Sequence, residues 1–76
     1  MMSYHDLLEI IHRECQAHGG LANEDEVKRQ FGKGFDAEFG ILVQRGYISK
    51  NAPVGSISLS PTGWRTAKLS QAPKGN

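Results

Sequence analysis

The sequence predicts an α+β domain, mainly α, in which a three-helix core containing a helix-turn-helix is followed by a two-stranded β-hairpin. Three observations predict it. Three stretches with apolar residues at helical spacing each end at glycine, at Gly19-Gly20, Gly32 and Gly46. The second and third are joined only by Gly32-Lys33-Gly34, a turn short enough for a helix-turn-helix. After Gly46 the helical period disappears, and two short β-type runs flank a stretch of turn formers.

The first helix is placed at roughly residues 4–18. Ser3 and Asp6 have the spacing of a capping box, with the acid one methylene short, and Tyr4, Leu7, Leu8, Ile11 and Cys15 share one face. Leu21-Ala22 follows as a very short extended link. Asn23 and Glu26 repeat the capping signature, and the helix they open buries Val27 and Phe31. In the third helix Asp36 is the expected cap and Phe35 the apolar residue that staples it. Phe39, Leu42 and Val43 form its buried stripe, and Gly46 stops it so that the chain can turn sharply into a strand. Tyr47-Ile48-Ser49 and Ile57-Ser58-Leu59 are the arms of the hairpin, with Lys50 to Ser56 as its loop. Pro61-Thr62-Gly63 punctuates the second arm. Trp64 to Leu69 is expected to form one short helical turn, with Trp64 capping the core over the hairpin. The domain is thus placed at residues 1–69, with 70–76 as a frayed tail.

With 76 residues, the chain has room for one small core and not for a deep substrate cavity as well. No catalytic constellation or glycine-rich phosphate loop is present in the sequence, so it is read as a binding module and not an enzyme, with no cofactor. His5, His12, Cys15 and His18 fall on the first helix, but their spacing scatters them around it, and no metal site is expected. A single cysteine fits a reducing compartment, and the apolar runs are too short to span a membrane. Together these place the protein in the cytoplasm. Nine Lys and Arg against eight Asp and Glu give a net charge of +1, so any nucleic-acid contact has to rest on local charge.

The order helix, helix-turn-helix, hairpin resembles that of winged-helix domains. Leu42-Val43-Gln44-Arg45-Gly46-Tyr47-Ile48 resembles the end of their third helix running into the first wing strand. Leu59-Ser60-Pro61-Thr62-Gly63 resembles the stretch after the wing in regulators of the MarR and PadR families. The resemblance covers about residues 4–69 and lacks the longer helices through which those regulators dimerise. It implies a transcriptional regulator that binds double-stranded DNA through the third helix and the wing.

Two sets of residues follow as candidates. For DNA they are Lys28, Arg29 and Lys33 around the turn, Gln44 and Arg45 late in the third helix, and Lys50 at the start of the wing, with Arg65 and Lys68 beyond it. The same cations, mixed with Glu24, Asp25 and Glu26, also suit a plain solvated face. Against DNA stand the few base-reading groups on the third helix, the position of Glu38 near its early turns, and a wing tip, Asn51 to Ser56, without charge. The alternative is a protein partner, docked on the outward face formed by Ala37, Gly40, Ile41 and Gln44. Glycine inside a helix costs about 1 kcal/mol relative to alanine. Gly40 therefore calls for either a strand of the same chain or a partner packed closely against it.

Overall fold

The computed structural model describes residues 3–70. Four helices and a two-stranded antiparallel sheet follow one another as α1 (Tyr4–Ala17), β1 (Ala22–Asn23), α2 (Glu24–Phe31), α3 (Phe35–Gln44), β2 (Ser56–Ile57) and α4 (Pro61–Ser70). The architecture is α+β and mainly helical, and no helix among the described residues is long and apolar enough to cross a membrane.

Helix α1 starts at the capping box that Ser3 and Asp6 predict. The Ser3 backbone N–H donates to the Asp6 carboxylate at 2.8 Å, which satisfies a group the helix itself leaves free. It ends where Gly20 N–H reaches back to Cys15 O at 2.7 Å, with Gly19 at φ 70°. All the other helices and β1 pack against α1. Its buried arc is therefore wider than one stripe: Leu7, Leu8, Ile11 and Cys15 are joined in the interior by Ile10 and His12. Neither of those two was expected there. His12 is covered by α4, whose Trp64 lies against it, whereas Ile10 lies on the other flank of α1, beside Gln30 of α2.

Helix α2 is capped as expected, with Asn23 Oδ1 accepting from Glu26 N–H at 2.9 Å, and it buries Val27 and Phe31. The start of α3 differs from expectation. Its cap is Gly34, in the left-handed region at φ 89°, with no side-chain capping bond, while Asp36 lies inside the first turn and is exposed. Phe35, the expected staple, is the first helical residue and is itself buried. A positive φ at Gly34 costs little, and it turns the chain so that Phe35 points inward.

The buried stripe of α3 is Phe35 and Leu42 with half-buried Phe39, whose ring stacks on Phe35 at 5.2 Å. The expected stripe of Phe39, Leu42 and Val43 is corrected accordingly: Val43 is 44% exposed, and Ile41, assigned to the outward face, is half-buried. Gly46 terminates α3 as predicted. Its φ is 78°, its N–H reaches Val43 O, and Tyr47 N–H reaches Leu42 O, both at 3.0 Å.

The expected hairpin is reduced to one bridge, Ile48 with Leu59, supported by Ser49 N–H to Ser58 O and Ser60 N–H to Tyr47 O, both 2.9 Å. The regular pairing is instead β1 with β2, in the register Ala22–Ile57 and Asn23–Ser56. The short link after α1 is thus a strand, bonded to the segment that also bridges to Ile48. The single turn expected after Pro61 is a ten-residue helix. Gly63 and Ala67, one turn apart, are both buried and let α4 approach closely, while Leu21 and Leu69 are exposed. Trp64 is half-buried, and its ring meets His12 edge-on at 5.1 Å. Ser70 closes α4, so the tail assigned to 70–76 begins inside a helix, and its remainder lies outside the described residues.

Candidate binding face

The outward side of α3 is the largest departure from the sequence reading. At ~100° per residue, Asp36, Ala37, Gly40, Val43 and Gln44 occupy one arc of α3 centred on Gly40, beside the Phe35–Phe39–Leu42 stripe, and all five are exposed. Ala37, Gly40 and Gln44 are placed where the sequence put them. Asp36 and Val43 replace Ile41. Helical spacing alone does not give this exchange, because at ~100° per residue Ile41 points further from the Phe35–Phe39–Leu42 stripe than Val43 does.

Gly40 lies at the centre of this face. A Cβ built on it meets nothing within 4 Å among the described residues, so no described strand packs there. Of the two reasons for a glycine at this position, close approach within the fold is removed.

The cations expected to meet phosphate are only partly free to do so. Lys28 Nζ is 3.1 Å from the Glu24 carboxylate, and Arg29 is bonded to the Glu26 carboxylate. Each pairing lifts the basic group above its ordinary value, through the hydrogen bond first and the charge second. It also holds the Glu26 carboxyl below the usual range, with the Arg29 bond the largest cause. The spacings, i+4 and i+3, made both pairs legible in sequence. Such exposed pairs contribute little to stability, but they neutralise two of the candidate phosphate contacts.

Lys28 also lies 5.5 Å from the centre of the Phe35 ring, at the edge of a shallow depression of about 500 Å³ bordered by Gly32, Gly34, Asp36 and Ala37. Arg45 is at the other end of α3, its guanidinium 4.8 Å from the centre of the Tyr4 ring. Lys33 and Lys50 are exposed, and the lysine and arginine ion pairs among the described residues include neither. The six DNA candidates are therefore spread over the last turn of α2 (Lys28, Arg29), the turn before α3 (Lys33), the end of α3 (Gln44, Arg45) and the loop after it (Lys50). Val54, in that loop, is fully exposed.

Cys15 is buried, and its Sγ lies 3.6 Å from Ile57 O. Burial pushes its thiol up, the largest influence on it. Among the described residues no group of three or more His, Cys, Asp or Glu is arranged to hold a metal ion. Compared with models of protein families, with curated proteins and with solved structures, the chain matches none.

Proposed function

We propose that this chain is a winged-helix binding module whose α3 face docks on a protein surface. The element order and the stretches Leu42–Ile48 and Leu59–Gly63 support the winged-helix assignment, with β1, β2 and the Ile48–Leu59 bridge in the role of the small sheet and wing. One observation carries the choice of partner. The outward face of α3 holds Asp36, Ala37, Gly40, Val43 and Gln44, with no cation, and its central glycine has open space above it. A helix that enters the major groove presents Arg, Lys, Asn, Gln, Ser or Thr to base edges. Here Gln44 is the one such residue, in the last turn, and the Asp36 carboxylate in the first turn would face phosphate with the wrong sign.

A second reading, a DNA-binding regulator, is supported by exposed Lys33 and Lys50, which are free to meet phosphates. On that reading the affinity is electrostatic and weak in sequence preference, and each lost phosphate contact flattens the log–log salt slope by about 0.9.

Random-sequence duplex DNA, titrated at low and at near-physiological salt, distinguishes the two. The protein reading expects no saturable binding at near-physiological salt. It also expects proteins captured from the native host to be lost with Gly40→Gln and kept with Lys33→Glu. Tight binding to duplex that weakens steeply with salt and with Lys33→Glu overturns it in favour of DNA.

A further inference from the structure

Charge is divided along this chain more sharply than its net value of +1 shows. All eight Asp and Glu lie at or before Glu38, together with four of the nine Lys and Arg, so residues 1–38 carry −4. Residues 39–76 hold the other five Lys and Arg and no acid, and carry +5. An asymmetry of this kind between halves marks a surface that meets its partner through charge.

The fold gathers the cationic half. Ser60 Oγ donates to Gly46 O and Ser60 N–H to Tyr47 O, which fixes the start of α4 against the end of α3. Ser49 N–H donates to Ser58 O, so the loop that begins at Lys50 leaves from the same junction. Arg45, Lys50, Arg65 and Lys68 therefore surround this junction, and all four are exposed. No ion pair among the described residues includes any of them, whereas Lys28 and Arg29 are held by Glu24 and Glu26. Where the acidic half reaches the loop, with Glu24 N–H donating to Gly55 O, the Glu24 carboxylate is already engaged by Lys28.

Apolar side chains stand among these cations. Of the four large apolar residues exposed among the described residues, Val43, Val54 and Leu69 lie in the cationic half. Leu69 follows Lys68 directly. Val54 is presented on a formed turn, in which Ser56 N–H donates to Pro53 O at 3.0 Å and Gly55 has φ 86°. A nucleic-acid backbone has nothing apolar to set against such side chains. A bilayer takes up one continuous apolar helix face, and these three residues come from the end of α3, a loop and the end of α4.

From this combination we infer that the surface around the α3–α4 junction docks an acidic protein segment in which carboxylates alternate with apolar side chains. The inference rests on the reading of the chain as a protein-docking module, and it names the chemistry of the partner beside the α3 face.

The test is fluorescence anisotropy of a labelled peptide of Glu-Glu-Leu repeats, titrated with the full chain at low and at near-physiological salt. Saturable binding that weakens with salt is expected, and none to the matching Gln-Gln-Leu peptide. Arg65→Glu combined with Lys68→Glu weakens it about tenfold, as expected for reversing two exposed cations. Leu69→Ser weakens it by a similar factor at both salt concentrations, because an apolar contact is not screened. Asp25→Asn, in the acidic half, and Gly40→Gln, on the α3 face, leave it unchanged. Circular dichroism checks that each variant keeps the wild-type helix content.

A wild type that does not bind the Glu-Glu-Leu peptide at low salt overturns the inference. So does binding that the Arg65 and Lys68 reversals leave unchanged, or tighter binding to random duplex DNA or to phosphatidylserine–phosphatidylcholine vesicles at near-physiological salt. Failure with the peptide leaves the α3 reading to host capture with Gly40→Gln. Duplex binding lost with Lys33→Glu would instead remove the α3 reading itself.

Discussion

Gly40 and Gly63 both lie inside helices, and alanine at each should change stability in opposite directions. At Gly63 a Cβ would sit far inside van der Waals contact with Tyr47 O, and within 3.0 and 3.2 Å of the Tyr47 carbonyl carbon and Cα. Those atoms are backbone and cannot rotate aside as a side chain would. Moreover, Tyr47 O accepts the Ser60 N–H at 2.9 Å, and Ser60 Oγ donates to Gly46 O, so a shift of α4 strains the bonds that hold it to the end of α3. Overpacking a close contact costs about 1–3 kcal/mol, and an immobile neighbour puts this case at the upper end. A weakened hydrogen bond adds about 1 kcal/mol, and the better helix propensity of alanine offsets a similar amount. The net loss is about 2–3 kcal/mol. At Gly40 nothing opposes the propensity term, and Gly40→Ala should stabilise the fold by about 1 kcal/mol. In a domain of this size 1 kcal/mol moves the melting temperature by about 4–8 °C. Thermal melts followed by circular dichroism in dilute solution should therefore show Gly40→Ala about 4–8 °C above wild type and Gly63→Ala about 10–20 °C below it. A Gly63→Ala melt at or above wild type would refute the docking of α4 on residues 46–47. A lowered Gly40→Ala melt would show that the outward face of α3 is covered within the chain.

Phe39→Ala should cost about 1.5–2.5 kcal/mol in urea unfolding, roughly half the usual loss for a core phenylalanine, because the ring is half-buried on Phe35; a loss of 4 kcal/mol or more would mean the stripe is deeper than described. Asn23→Ala removes the acceptor for Glu26 N–H and should cost about 0.5–2 kcal/mol, read from the same unfolding curves. Cys15 should react with a thiol reagent at pH 8 far more slowly in the native chain than in denaturant, since it is buried and its thiol is pushed up. The same shift predicts a pH effect. The folded chain holds the Cys15 proton more tightly than the unfolded chain does, so this contribution is constant below about pH 8.5 and is lost as pH rises toward the raised value. The melting temperature of the wild type should therefore fall relative to that of Cys15→Ala across this window; a constant difference would remove the shift.

Local signals made much of the backbone legible. The caps at Ser3 and Asn23 act over two or three residues, and the stops at Gly19, Gly32 and Gly46 act through the φ of one residue, 70°, 84° and 78°. Such features need no knowledge of the rest of the chain. The start of α3 misled for the same reason: Asp36 is a good local cap, but burying Phe35 outweighs it, and the cap moves to Gly34. The candidate face was partly legible. Ala37, Gly40 and Gln44 follow from helical spacing, whereas the half-burial of Ile41 and the exposure of Val43 run against it and are set by what packs on α3.

By itself, then, the sequence determined that the chain forms capped helices interrupted by glycine turns, and that one of these helices carries a glycine with no helical reason to be there. Tertiary structure decided which sides those helices bury. His12 is interior because α4 lies against α1, some fifty residues along the chain, and α4 reaches its place because Gly63 brings no side chain to its contact with the Tyr47 backbone. The pairing of Ala22 with Ile57 has the same character, joining segments with no shared local pattern. Burial depends on what arrives from elsewhere in the chain, and a local pattern records only which residues are suited to it.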